Sequence, residues 1–286
     1  MALEPGAPLR VLTLNLWGAQ PPLERRMAIV AAGIAALKPD VVALQEVQDR
    51  PDLPNQAVAL AAAAGMEAVF APAIGFAGGH EGLAFLARHP VVARASEPLP
   101  HATNDEARIL LSVALDVGLA APVWVHTTHL NYRLDHGRAR EDQVMAIEAA
   151  IAKRSDAIPQ ILLGDFNARP ESDEIRWLLG LTTIGGRRAF FQDAWAVRHP
   201  GALPQAGWTF ARANPQTAPL GFLQPDRRID YIFVTRERGD GRGLVRDCRI
   251  VFDQPDATGL YASDHFGLLA EVAVAPRGGT PAGAGV

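Results

Sequence analysis

The stretch ILLGDFNARP, residues 161–170, decides the fold. Its apolar first half has the character of a buried strand, and Asp165 and Asn167 follow directly at the carboxyl end. In an extended chain, side chains at positions i and i+2 point to the same side. The segment therefore predicts a strand that lies in the core and presents two hard polar groups together at the rim of a sheet.

Strand-like and helical runs alternate outward from this segment in both directions. Connections of varied length indicate both crossovers and antiparallel neighbours, which predicts an α/β layer sandwich with mixed sheets. No glycine-rich phosphate loop or GxSxG elbow follows a strand, so dinucleotide, P-loop and serine-hydrolase functions have no support. The predicted strands are 9–16, 41–47, 82–88, 108–117, 123–130, 160–163, 208–211, 228–235, 244–252 and 266–274, and the predicted helices are 23–37, 55–64, 135–152 and 171–179.

Composition narrows the function classes. The 286 residues carry 27 basic and 31 acidic side chains, a net charge of -4, so a long basic nucleic-acid surface is excluded and only a local patch could serve. The single cysteine, Cys248, excludes an internal disulfide and a CxxC zinc site, and we expect it to be a buried apolar residue. With no secretory signal or membrane-length apolar run, we expect a cytoplasmic protein. One domain over residues 1–274 and a disordered tail over 275–286 complete the prediction.

Hard polar residues occur where the predicted strands end or begin. Each of them alone could be a turn cap or a surface group. If the late strands run antiparallel to the early ones, however, all of them gather at one rim. The residues at strand ends are Asn15, Glu46, His129, Asp165 and Asn167, and those at strand beginnings are Asp230, Asp264 and His265.

The oxygen-bearing members of this set indicate a metal site. Glu46, Asp165 and Asp264 supply carboxylates, and Asn15 and Asn167 supply amides. Hard oxygen ligands suit Mg²⁺ or Mn²⁺, and Mg²⁺ commonly takes one or two carboxylates together with water and substrate phosphate. A zinc site is disfavoured, because His126 and His129 face opposite sides of a strand.

The histidines of the rim indicate acid–base chemistry. Imidazoles titrate near neutral pH, so His129 and His265 are candidates for proton transfer. A catalytic imidazole works best beside a carboxylate that fixes its tautomer, and Asp230 and Glu81 are the candidates for that role. Metal, imidazole and amides together fit in-line attack of water on phosphorus.

Several segments together resemble the endonuclease/exonuclease/phosphatase superfamily of Mg²⁺-dependent phosphoesterases. They occur in the family's order over nearly the whole chain, and GDFN followed much later by SDH is the most specific pair. The resemblance implies a four-layer fold, two packed sheets flanked by helices, with the site on the rim between the sheets. The segments are LTLNLWG (12–18), ALQEV (43–47), EGLAFLARHPV (81–91), THLN (128–131), LLGDFNARP (162–170), RRIDYIFV (227–234) and SDHFGL (263–268).

The resemblance also implies roles. Glu46 is expected to be the principal metal ligand, beside Asn15 and Asp264, with Asp165, Asn167 and His265 as a second site or as groups around the scissile phosphate. His265 resembles the general base, oriented by Asp230. His129 resembles the histidine that binds or protonates the phosphate, with Glu81 as its partner. Asn131, Arg169 and Trp208 are the expected substrate-binding residues.

The segments differ in which branch of the family they resemble. NLWG is similar to the neutral sphingomyelinase branch, whereas RRIDYIFV is similar to the nuclease branch, and the Trp-Cys-Asp-Arg signature of inositol-polyphosphate phosphatases is missing. With the net charge of -4, these features favour a small or lipid-like phosphodiester over duplex DNA, with a DNA nuclease as the alternative and a non-catalytic scaffold as a remote one. The oligomeric state is left open.

Overall fold

The computed structural model describes residues 2–4, 6–102, 106–218 and 226–276. Within these ranges the strands form two six-stranded sheets, in the orders β11-β12-β1-β2-β4-β3 and β5-β6-β7-β8-β10-β9. The strands are β1 (Leu9–Asn15), β2 (Val41–Asp49), β3 (Glu67–Phe76), β4 (Gly79–Ala87), β5 (Val91–Pro98), β6 (Ile109–Leu115), β7 (Val123–His129), β8 (Ile161–Asp165), β9 (Phe191–Asp193), β10 (Asp230–Thr235), β11 (Val245–Val251) and β12 (Gly267–Val272).

The helices begin and end where local chemistry allows. The first helix ends at Leu37, because the capping residue Lys38 has a left-handed backbone conformation and the following Pro39 cannot continue a helix. The second is capped by the Asn55 side chain and ends at Gly65, also left-handed. The helices are α1 (Leu23–Leu37), α2 (Gln56–Ala64), α3 (Gly137–Ile151), α4 (Asp173–Leu178) and α5 (Ala194–Arg198).

Apolar clusters join these elements into four layers. Between the sheets, Val41 and Phe85 of one sheet share a cluster with Val125 and Ile161 of the other. On the outer faces, α1 and α2 pack against the first sheet and α3 and α4 against the second. The layers are therefore helix, sheet, sheet, helix, which confirms the predicted α/β four-layer sandwich.

Strand direction brings the predicted rim together. β1 lies parallel to β2, and β7 lies parallel to β8. β12 runs antiparallel to β1, and β10 runs antiparallel to β8. The carboxyl ends of four early strands and the amino ends of two late strands therefore meet at one edge of the sandwich, as the pattern predicted.

The differences from the predicted elements have physical reasons. Residues 208–211, predicted as a strand, form only a bridge from Phe210 to Arg227, because the loop backbone and the Thr209 hydroxyl bond the segment before β10 instead. β3 and β5 were not predicted: both are edge strands, β3 contains Pro72, and β5 is largely exposed. β9 and α5 are too short for their periodicity to show.

Three predictions concern the whole chain. The single domain over residues 1–274 stays a prediction. Most of the predicted disordered tail, residues 277–286, lies outside the described residues. In the described ranges, no helix combines the length and the apolar character needed to cross a bilayer. The cytoplasmic location stays a prediction.

Candidate active site

A pocket of about 330 Å³ opens at the rim between the two sheets. Seven of the predicted residues line this pocket. Two others, Asn15 and Asp230, are completely buried behind its wall and bond residues that face it. Nine of the residues predicted from strand ends and motifs therefore form one connected site. The seven that line the pocket are Glu46, Glu81, His129, Asp165, Asn167, Asp264 and His265.

Unusual backbone conformations aim several of these groups. Trp17, Glu46 and Asn167 have positive φ angles of 57°, 54° and 49°, which non-glycine residues seldom adopt. The pairing of β2 with β4 shifts between Leu44 and Val47, and this bulge contains Glu46. A bulge re-aims a side chain that regular alternation would direct elsewhere, so Glu46 owes its position to a local departure from the strand.

His265 and Asp230 form a buried pair. The His265 Nδ1 atom lies 2.9 Å from the Asp230 Oδ2 atom. Because an ionised carboxylate only accepts, this contact places the proton on Nδ1 and leaves Nε2 for other chemistry. Asp230 is held in turn, since its backbone N–H donates to the Thr209 hydroxyl at 3.1 Å.

Neighbouring charges shift the pKa values of His265 and Asp165, which lie close together. Burial alone would lower the pKa of His265, but attraction by Asp230 and Asp165 outweighs it and raises the pKa to about 10. Burial, with repulsion by Asp230, raises the pKa of Asp165 to about 6. The His265 Nε2 atom lies 3.8 Å from the Asp165 Oδ2 atom. His265 and Asp165 therefore act as one electrostatic unit.

His129 lies on the other side of Asp165. Its Nε2 atom is 3.4 Å from the Asp165 Oδ2 atom. Burial lowers the pKa of His129 well below its usual value, and the charges of Arg108 and His265 lower it further, so its ring is neutral. Its predicted partner, Glu81, has a different contact: Gln48 Nε2 donates to it at 3.2 Å. The carboxylate nearest to His129 in the ion-pair geometry is thus Asp165.

The predicted metal ligands fit a hard cation by their charge. Burial, together with repulsion by the neighbouring carboxylates of Asp264 and Glu81, raises the pKa of Glu46 to about 8. Such crowding of acids is relieved by a divalent cation, so the donor chemistry fits Mg²⁺ or Mn²⁺.

The Asn15 amide bonds three neighbours in the site, and its predicted role as a metal ligand stays a prediction. Its Nδ2 donates to Glu46 at 2.9 Å and to Asp165 at 3.1 Å, and its Oδ1 accepts from the Trp17 backbone N–H at 2.9 Å. Both ends of the amide are therefore engaged, and Asn15 ties the two carboxylates together.

Another group has ligand atoms close enough to share an ion. Within the described ranges, Asp165, Asp230 and His265 offer atoms that all lie within 4.8 Å of one another. Since Asp230 already bonds His265 at 2.9 Å, this geometry is equally that of an oriented imidazole, which leaves the predicted second metal site a prediction.

None of the three predicted substrate-binding residues lines the first pocket. Arg169 and Trp208 line a second pocket beside the first. Asn131 is buried, and its Oδ1 accepts from the backbone N–H of Arg133 at 2.9 Å, so it shapes the loop after β7. Arg140, another basic residue that follows His129 in sequence, is buried and bonds Glu174. Its role is in the packing of α3 against α4.

The sequence pattern does not indicate two arginines that support or line the pocket. Arg26 is completely buried in α1 and donates to the carbonyls of Leu16, Gly18, Gln20 and Ala262 at 2.7 to 3.2 Å. It thereby joins the loop that follows Asn15 to the loop that precedes Asp264, and nothing in a helical repeat reveals this. Arg108 lines the pocket from just before β6, and its position at a strand end was a signal that could have been used.

Comparisons with known proteins agree with this architecture. The model of the Endonuclease/Exonuclease/phosphatase family matches residues 12–265. A comparison with curated proteins gives no significant match. An endonuclease/exonuclease/phosphatase protein from Beutenbergia cavernae is 25% identical, covers 94% of this chain and 72% of its own, and superposes with a TM-score of 0.69.

Two further solved structures share the fold at lower identity. TDP2 of D. rerio, solved with a single-strand DNA product, is 19% identical over 92% of this chain and 98% of its own, with a TM-score of 0.73. A functionally unknown protein from Enterococcus faecalis is 22% identical over 94% of this chain and 100% of its own, with a TM-score of 0.71. The family model spans most of the chain and includes the rim residues from Asn15 to His265. The chain therefore belongs to the endonuclease/exonuclease/phosphatase family, whose members are in general metal-dependent phosphoesterases.

Proposed function

We propose that this chain is a divalent-metal-dependent phosphodiesterase. One observation carries the proposal: the buried His265–Asp230 pair, 2.9 Å apart, faces the same pocket as the carboxylates of Glu46, Asp165 and Asp264. An oriented base beside a cluster of hard oxygen ligands is the equipment for attack of water on a phosphorus atom.

Glu46 and Asp264 would hold Mg²⁺ or Mn²⁺, with Asp165 close by. When bound, the cation would neutralise charge on the scissile phosphate and would lower the pKa of His265 toward the range in which its imidazole accepts a proton. Asn15 keeps Glu46 and Asp165 in register with each other through its two donated hydrogen bonds.

Attack of water forms a bond from its oxygen to phosphorus while the bond from phosphorus to the leaving oxygen breaks, and solvent protonates the alkoxide or aryloxide that leaves. The side chains of the site divide the proton transfer from water and the hydrogen bonds to the phosphate group. His265 Nε2 takes the proton of the attacking water, while its Nδ1–H stays bonded to Asp230, which stabilises the imidazolium that forms. His129, neutral and on the opposite side of Asp165, donates to a phosphate oxygen. Asn167, whose amide nitrogen donates to the Leu130 carbonyl at 3.2 Å, is fixed at the pocket wall to contact the phosphate group.

The pocket lining favours a polar substrate. Carboxylates, imidazoles and arginines dominate it, and a lipid tail would need a continuous apolar wall beside the scissile bond, which this lining does not offer. Of the two substrates predicted from the sequence, the small phosphodiester is therefore retained, and the lipid-like phosphodiester is not proposed.

A single-stranded nucleic acid is the second candidate substrate. The D. rerio TDP2 structure with a single-strand DNA product supports it, since that relative has the same fold over 92% of this chain. The net charge of -4 argues against tight binding of long duplexes but not against an end or a short strand that needs few phosphate contacts.

The test compares one small aryl phosphodiester, one single-stranded oligonucleotide and one supercoiled plasmid, each with Mg²⁺, with Mn²⁺ and with excess chelator. We expect metal-dependent turnover that the chelator abolishes and added metal restores. Glu46→Gln should lower kcat severely, and the exposed Glu24→Gln on α1 serves as the matched control. Full turnover in chelator, or full turnover by Glu46→Gln, would overturn the proposal.

A further inference from the structure

A second pocket of about 290 Å³ adjoins the catalytic pocket. Its volume is at the lower end of the roughly 300–1,000 Å³ of small-molecule sites. Arg227 lines both pockets and so forms the wall between them. A group attached to a phosphate in the first pocket could therefore extend into the second.

Arg227 is a buried cation that has no ion-pair partner among the described residues. Only 7% of its surface is exposed, and within the same part of the chain its Nε has no hydrogen-bond partner. Its guanidinium lies 5.1 Å from the centroid of the Phe210 ring. Burial lowers the pKa of Arg227, and in the described part of the chain the charges of Asp165 and Asp230 oppose this shift without an ion pair at contact distance. A buried arginine usually has its donors matched by acceptors, so this one is available to an anion that the protein itself does not supply.

The other arginines of the second pocket are already paired. The Arg228 Nη2 atom forms an ion pair with the Asp193 Oδ2 atom at 2.7 Å, although the Arg228 Nη1 has no hydrogen-bond partner among the described residues. Arg169 lies 3.5 Å from Glu171. Asp226, the remaining acid of the lining, bonds the Arg212 side chain. Among the described residues, Arg227 is therefore the arginine of this lining that has no acidic ion-pair partner, and it borders the first pocket as well.

Three aromatic residues contribute to the rest of the second pocket, beside proline and small or aliphatic residues. Trp195 and Trp208 both line it, and the His199 ring stacks on Trp195 with centroids 3.9 Å apart. The ring of Trp208 is half-buried, so part of it is exposed to the pocket. Indole faces bind planar rings by stacking, with little dependence on which ring it is.

We propose that the second pocket binds a planar aromatic group of the substrate, attached to the phosphate that Arg227 holds between the two pockets. The inference rests on the proposed function and narrows its substrate class to phosphodiesters with an aromatic substituent. A nucleobase and an aryl alcohol both have this chemistry.

Calorimetric titration with phosphonates tests the pocket, because their C–P bond is not hydrolysed. The probes are methylphosphonate, phenylphosphonate and the 5′-methylenephosphonate of thymidine, with Mg²⁺ present. We expect the wild type to bind phenylphosphonate about tenfold more tightly than methylphosphonate, the low end of base–aromatic stacking. Stronger binding of the thymidine probe than of the phenyl probe would identify a nucleobase as the occupant, and the reverse order would identify an aryl group.

Variants separate the two parts of the site. Trp208→Leu should remove the advantage of the phenyl probe and leave methylphosphonate binding unchanged. Arg227→Met should weaken all three probes about tenfold or more, whereas Arg227→Lys keeps the charge and should weaken them less. Arg94→Met, on the exposed edge strand β5, is the matched control and should bind like the wild type. Thermal unfolding of each variant shows whether it is folded.

Equal affinities for the methyl and phenyl probes, or unchanged binding by folded Arg227→Met, would overturn the inference. Binding is measured without turnover, so the two proposals fail separately. Phenyl selectivity without any phosphodiesterase activity would leave the pocket and remove the function. Metal-dependent turnover without phenyl selectivity would do the opposite.

Discussion

His126 makes the stability of the fold depend on pH in a calculable way. The residue is completely buried in β7, where its Nδ1 lies 2.8 Å from the Ser112 hydroxyl and its Nε2 lies 2.9 Å from the Gln160 amide oxygen. Burial lowers its pKa from 6.5 to about 3, an effect that the Gln160 hydrogen bond opposes and the charge of Arg154 reinforces.

The sign of the effect follows from proton uptake. Below pH 6.5 the unfolded chain protonates this imidazole, whereas the folded chain does not until about pH 3. The unfolded state therefore gains protons as the pH falls, and the free energy of unfolding decreases by up to about 1.4 kcal/mol per pH unit in this window. Between pH 8 and pH 5 this one residue should cost about 2 kcal/mol, and below about pH 3 its contribution becomes constant.

The assay is urea unfolding of the wild type and of His126→Gln at pH 8, 6.5 and 5. Glutamine retains a donor and an acceptor but does not titrate, so other ionisable groups cancel in the difference between the two proteins. We expect His126→Gln to be less stable than the wild type at pH 8 and to recover about 2 kcal/mol relative to it at pH 5. His80→Gln, exposed on β4, is the matched control and should show no such recovery. A constant difference at all three pH values would refute a neutral, buried His126.

Three further predictions concern the site and its support. Gly164→Ala should destabilise the fold by about 3 kcal/mol or more in the same urea series, because the φ of Gly164 is 141° and a Cβ would lie 2.0 Å from the Thr128 carbonyl oxygen. Gly75→Ala is the control: a Cβ at Gly75 would meet no atom within 4 Å, so stability should change by less than about 0.5 kcal/mol. Arg26→Met should lower both the melting temperature and kcat, because four backbone carbonyls lose their donor. Arg26→Lys should restore part of the stability but not the hydrogen bonds to all four carbonyls. A folded Arg26→Met with wild-type kcat would contradict the role of this arginine. Asp230→Asn should lower kcat on the aryl phosphodiester about 10²–10⁴-fold with little change in KM, measured with saturating Mg²⁺, and an unchanged kcat would remove Asp230 from the mechanism.

Strand periodicity and chain order made much of the site predictable. The hard polar residue at each strand end follows from an apolar run that stops, and the antiparallel return of β10 and β12 brings Asp230 and His265 to the same rim as Asp165. These are consequences of regular elements, which a sequence pattern encodes directly.

Irregular geometry was not predictable in the same way. The bulge in β2 that contains Glu46 depends on pairing with β4, and no periodicity marks it. The contacts of the Asn15 amide depend on Trp17, Glu46 and Asp165 being in place first. Arg26 has the same character, because the carbonyls that it binds belong to loops far apart in sequence. Such features arise from tertiary contacts, which local propensity does not specify.

The left-handed residues of the site show how those tertiary contacts sustain its geometry. Each positive φ at a non-glycine residue costs on the order of 1–3 kcal/mol, and it persists only where the surroundings fix it. Each of the three has such surroundings. The Asn167 backbone N–H donates to Asp165 at 2.8 Å, and Asn15 donates to the Glu46 carboxylate.

Trp17 is fixed from two sides. Its backbone N–H donates to Asn15, and the Arg26 guanidinium lies 5.1 Å from the centroid of its ring. Each of Trp17, Glu46 and Asn167 thus has a hydrogen bond to Asn15 or to Asp165 among the contacts that fix it. Because strain and hydrogen bonding converge on this one amide and one carboxylate, the wall of the pocket is held rigid where phosphate would bind, and preorganisation of this kind is what electrostatic catalysis requires.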